Sequence, residues 1–311
     1  GRPKGVAVLG SSQGSWSAPV AKQLALHVGH GKTGSSYLQA WLALNAQRLT
    51  AVGVTYPLEA PSGRCERRAQ RGLFSMGNGF VLEEIEAAAD PTAALAALAA
   101  HVPDGGTLLI SDGRLMKRLV GRLPSLTALA AAAGFEGLQL LLLVRDPLEH
   151  ARSLYLEMVK AHGYAGSFGD WLAITNLHDY VLLFLQEQAA LHGGVPCQLT
   201  VHNYSRIRAA ILPALRQWLD LPAASTDWPL PPRQRVNRSF SRTELGLQRR
   251  LNRLLGRRAG GFGRLLVRLR PRAEAARPGA SPAEVERFRA RLAPVVWGIN
   301  QHVAAGQELQ G

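Results

Sequence analysis

Lysine, glycine and hydroxyl residues crowd into one short stretch, His27–Gln39, which reads His-Val-Gly-His-Gly-Lys-Thr-Gly-Ser-Ser-Tyr-Leu-Gln. This composition suits the holding of an anion. Gly29, Gly31 and Gly34 let backbone N–H groups approach a charged oxygen, and Lys32 adds a full positive charge. Thr33, Ser35 and Ser36 supply hydroxyl donors to the same oxygens. The stretch is not a Walker A loop, because the glycine that motif needs five residues before Gly31 is replaced by Leu26.

A second group lies at Val144-Arg145-Asp146-Pro147, with Ser153 and Tyr155 downstream. Pro147 suits the first turn of a helix, and Ser153 would then sit about two turns along it. Its hydroxyl and the Arg145 guanidinium could meet around one anion. A further polar stretch is Asn237-Arg238-Ser239-Phe240-Ser241. It leads into Ser241-Arg-Thr-Glu244, a capping box.

These groups need elements to hold them. Leu24, Leu26 and Val28 belong to an apolar run read as a strand, and Ser35 starts a helix through Leu38, Trp41 and Leu42. Gly53–Pro57 reads as a short extended piece. Glu83–Ala89, Pro91–His101 and Leu123–Ala133 read as helices, with Asp90 as a cap. Thr107–Ile110 and the very apolar Leu138–Val144 read as buried parallel strands. Further on, Phe168–Ala173, Leu177–Leu191 and Arg206–Leu219 read as helices and Gln198–Val201 as a strand. A final helix runs from the Ser281–Glu284 box to about His302. Strands alternating with helices predict a three-layer α/β/α fold with a central, mainly parallel sheet. Ligands of such sheets sit outside the carboxyl ends of the strands.

The Lys-Thr-Gly-Ser-Ser order resembles the 5′-phosphosulfate loop of sulfotransferases that use 3′-phosphoadenosine 5′-phosphosulfate (PAPS). It is most similar to the bacterial branch with His-x-Gly-x-x-Lys-Thr-Gly-[Ser/Thr]-[Ser/Thr]-x-Leu-Gln. Arg145-Asp146-Pro147 with Ser153 resembles the 3′-phosphate motif of the same family. The resemblance implies a P-loop-type fold, PAPS as sulfuryl donor, and a hydroxyl on a carbohydrate or related small molecule as acceptor. It implies Lys32 as the catalytic cation. A general base is implied at the end of the strand Thr107–Ile110, which offers Asp112; the Ser111-Asp112-Gly113 order departs from the family there. His30 is the second candidate base. Asn237 and Ser239 would close over the 3′-phosphate. The kinase reading of the same loop would use ATP and Mg²⁺. A catalytically silent protein that binds anionic glycans is the third reading.

Composition sets the remaining expectations. The chain has 311 residues, 47% of them hydrophobic, and a net charge of +14. That charge favours anionic partners and says little about fold. Residues 1–22 read as a loose lead-in without a signal-peptide pattern, and 23–303 as a single domain whose part 233–303 is basic and helical. The stretch 249–272, arginines among leucines, is a candidate for an anionic acceptor or membrane surface. No specific nucleic acid is expected. Cys65 and Cys197 are far apart, and no metal-ligand spacing is visible, so no metal is expected. The cytoplasm is the expected compartment.

Overall fold

The structure, a computed structural model, describes residues 21–65, 76–222, 228–231, 240–262, 265 and 276–311. The candidates Asn237 and Ser239, the lead-in up to residue 20 and the arginines at 264, 268, 270 and 272 lie outside them. Five strands form one sheet: β1 (Gln23–His27), β2 (Val54–Thr55), β3 (Thr107–Ser111), β4 (Gly137–Val144) and β5 (Cys197–Asn203). Their order is β2-β3-β1-β4-β5, and every pairing is parallel. Helices cover both faces, so the architecture is a three-layer α/β/α fold.

Alternation along the strands divides the core in two. Leu24, Leu26, Ile110, Leu140 and Leu142 face one cluster, while Ala25, Leu109, Leu141 and Leu143 face the other. The second face is covered by α1 (Ser35–Leu44), α2 (Ala46–Ala51) and α11 (Ile211–Trp218). The first face carries the larger set: α3 (Gly79–Ala87), α4 (Pro91–Ala99), α5 (Leu115–Leu119), α6 (Leu123–Ala132), α7 (Pro147–Ala161), α8 (Phe168–Ile174) and α9 (Leu177–Ala189). The last helix, Pro282–Asn300, joins that layer through Phe288, Leu292, Val296 and Ile299.

Local chemistry explains most boundaries. Asp90 caps α4 by accepting from the Ala93 amide at 2.9 Å, ahead of Pro91 at the first position. The Ser241–Glu244 and Ser281–Glu284 boxes both form, starting α12 (Arg242–Leu255) and the last helix. One expected helix is broken: Arg206–Leu219 is instead α10 (Tyr204–Ile207), a 3₁₀ turn at Arg208–Ala210, and α11. The restart puts Pro213 in the first turn of α11, where its missing N–H costs no hydrogen bond.

The chain leaves β1 toward the β2 edge and leaves β4 toward the β5 edge. The crevice between the carboxyl ends of β1 and β4 is therefore where a doubly wound sheet opens. Both anion-binding motifs exit there.

Candidate functional site

The loop after β1 bends through three residues of positive φ: Gly29 (54°), Lys32 (68°) and Gly34 (84°). Positive φ at lysine is a strained conformation that neighbouring contacts must enforce. Two such contacts come from the β4 exit. Arg145 Nη1 donates to the Lys32 carbonyl at 3.2 Å, and the His150 ring meets the Gly31 carbonyl at 2.9 Å through Nε2. With these carbonyls tied down, the amides of Gly31, Lys32, Thr33, Gly34 and Ser36 have no acceptor among the described residues. A run of amides without acceptors at the start of a helix has the form that suits an anion. The Thr33 hydroxyl is buried beside them, also without a partner among the described residues.

Close packing fixes this shape. A side chain at Gly29 would meet Gly113 Cα at 2.6 Å, so the β1 and β3 exits touch backbone to backbone. A side chain at Gly34 would meet Tyr204 Cε2 at 2.7 Å and Ile211 Cδ1 at 2.9 Å. Gly34→Ala combines that overlap with an unfavourable φ, so it lowers stability by about 1–3 kcal/mol in urea unfolding. Unchanged stability would mean that the loop is not held in this form.

Helix α7 supplies the opposite wall. Glu149, Ser153 and Glu157 recur every four residues and so share one face of it. Arg145 Nε and Nη2 both donate to Glu149 Oε2 at 3.3 Å, and Lys32 Nζ lies 3.4 Å from Glu157 Oε2. Ser153 stands between the two ion pairs. Both expected cations are thus gathered at one helix face, each beside a carboxylate. Asp146, Asn203 and Ser205 brace the β4 end: Asn203 Nδ2 donates to Asp146 Oδ1 at 2.9 Å, and the Ser205 hydroxyl donates to Glu149 Oε2 at 3.1 Å.

Asp112 sits at the β3 exit as expected, but both of its oxygens are taken. Arg114 donates to Oδ1 from its amide (2.8 Å) and Nε (3.2 Å), and to Oδ2 from Nη2 (2.9 Å). His30 is buried, with its ring stacked on His150 at a centroid distance of 3.9 Å and edge-on to His178 at 4.7 Å. Neither ring nitrogen of His30 has a partner among the described residues. Burial holds all three histidines below their ordinary pKa, and for His30 the neighbouring imidazoles add to the effect. His27, bonded to the Ser111 hydroxyl at 2.8 Å, is pushed down to about 4 by burial, against an opposing pull from Asp112.

The histidine cluster is what sequence reasoning missed, because positions 30, 150 and 178 share no local spacing. Its nitrogens lie within 4.8 Å of one another, so the trio is a potential set of metal ligands. A metal ion would need them drawn in to about 2.0–2.1 Å. Lys32 and Arg145 beside His150 further disfavour a cation.

Comparison with known families finds no family model that matches the chain. Comparison with curated proteins finds no match either.

Proposed function

We propose that the protein transfers a sulfuryl group from PAPS to a hydroxyl of a carbohydrate or related small molecule. One observation carries the reading: the free amides of the Lys32 loop and the Arg145–Ser153 side of α7 face one crevice, at the β1 and β4 ends. Two candidate anion sites side by side suit a donor phosphorylated at both the 3′ and 5′ positions. PAPS supplies the activated sulfuryl group. Lys32 and the loop amides of Gly31, Thr33, Gly34 and Ser36 stabilise the charge that develops on the bridging oxygen as the S–O bond breaks. Arg145 and Ser153 hold the 3′-phosphate, and Ser35 opens α1 with its N-terminus toward the phosphosulfate.

The acceptor proton needs a base. We assign it to Glu157 over Asp112 and His30: Glu157 is 33% exposed and holds Lys32 through one contact at 3.4 Å, whereas Arg114 makes three bonds to the 3%-exposed Asp112 carboxylate and His30 is enclosed.

Calorimetry tests the donor. Binding of 3′-phosphoadenosine 5′-phosphate, weakened about tenfold or more in Arg145→Ala, with no comparable binding of ATP and Mg²⁺, is the expected result. Preference for ATP would replace the reading with a kinase. Binding of neither nucleotide would leave only the fold.

A further inference from the structure

Helix α12 is amphipathic the wrong way round for a helix packed on a protein core. The face it turns inward is polar: Glu244, Gln248 and Asn252 are buried, Gln248 completely. Their polar atoms are used. Asn252 Nδ2 donates to the carbonyls of Val159 (2.7 Å) and Tyr164 (2.8 Å), closing the end of α7, and Gln248 Nε2 donates to the Ala259 carbonyl at 3.0 Å. Leu245 is buried beside them and Leu251 partly so, but the other apolar residues point out. Leu247 is 43% exposed and Leu254 80%, and they lie two turns apart on one stripe, with Leu255, Phe262 and Leu265 continuing the exposed apolar surface. Ordinary helices bury such a stripe; among the described residues nothing covers this one, which marks it as a contact surface.

Charge identifies the cover. Arg250, Arg253, Arg257 and Arg258 are exposed around the stripe, and none of them forms an ion pair among the described residues. From residue 245 to 273 the sequence holds nine arginines and no acidic residue. Exposed leucines flanked by arginines match a surface that is apolar inside and anionic outside. We infer that α12 and the turn after it dock on an anionic lipid bilayer, leucines and Phe262 entering the acyl boundary and arginines meeting headgroup phosphates. A polyanion such as nucleic acid would use the arginines and leave the leucines in water. No helix among the described residues is long and apolar enough to cross a membrane, so the contact lies on the surface.

The test is co-sedimentation of the full chain with vesicles of phosphatidylcholine alone or mixed with phosphatidylglycerol. Binding is expected only with phosphatidylglycerol. Arg253→Ser, Arg257→Ser and Arg258→Ser each weaken it roughly fivefold, equivalent to the about 1 kcal/mol that a surface-bound basic residue contributes. Leu254→Asp abolishes it, while nucleotide calorimetry stays at the wild-type value as the control for folding. Three outcomes overturn the inference: no binding to phosphatidylglycerol vesicles, binding that Leu254→Asp leaves intact, or self-association that Leu254→Asp removes in the absence of vesicle binding.

Discussion

Lys32→Ala is expected to lower sulfuryl transfer from PAPS by about 10²–10³-fold, measured with labelled donor and either a screened hydroxyl acceptor or water. The Lys32 ammonium is the full charge within a nest of partial ones, and charge develops at the leaving oxygen only as the transition state forms. Rate should therefore suffer more than nucleotide affinity. Stability should change little, because the ammonium's ion-pair partner among the described residues is the part-exposed Glu157 carboxylate. Glu157→Gln should lose about 10²–10⁴ in rate and with it the acidic limb of the pH profile. Asp112→Asn, by contrast, should mainly loosen Arg114 and the β3 exit. A full rate in Lys32→Ala would remove the loop from the chemistry. Loss of the acidic limb in Asp112→Asn but not in Glu157→Gln would reverse the base assignment.

Acid should unfold this protein early. His27 titrates near 4 when folded, against 6.5 for an ordinary histidine, so the unfolded chain binds its proton first as pH falls. The depressed value means that full stability is present above pH 6.5 and is lost as pH drops toward 4. His27 alone accounts for a loss on the order of 3 kcal/mol across that window, from its shift at about 1.4 kcal/mol per unit. His30, His150 and His178 act in the same direction. Urea unfolding at steps from pH 8 to pH 4 measures it. His30→Leu should be well tolerated at pH 8, since its nitrogens have no partner to lose among the described residues, and it should flatten the acid slope. Stability that stays constant between pH 7 and pH 5 would contradict the buried, neutral state of the cluster.

Much of this was legible in the sequence wherever a residue type carries a backbone requirement. Gly34 before Ser35, Pro147 after Asp146, and the Ser-x-x-Glu boxes each mark a helix start through their own chemistry. The apolar strands alternate with helices clearly enough to give the sheet. What stayed hidden depends on distance in space. Nothing local says that Arg114 will close on Asp112, or that Glu149 and Glu157 will face Arg145 and Lys32. The five-residue α5 is too short to show a period, and the 3₁₀ break at Arg208–Ala210 has no glycine or proline within it to announce it. The inverted α12 was visible only as arginines among leucines, because which face is buried is decided by the carbonyls of Val159 and Tyr164.

The ties on the Lys32 loop also set the order in which the protein can mature. Arg145 and His150 grip carbonyls 113 and 119 residues earlier in the chain. A nascent polypeptide that has completed β1, its loop and α1 has none of these restraints, and β1 itself must wait for β3 and β4 to gain neighbours. The candidate site is thus a late product of folding, formed only when remote segments have closed long loops. A chain stalled before α7 leaves the ribosome with the loop sequence intact and no site.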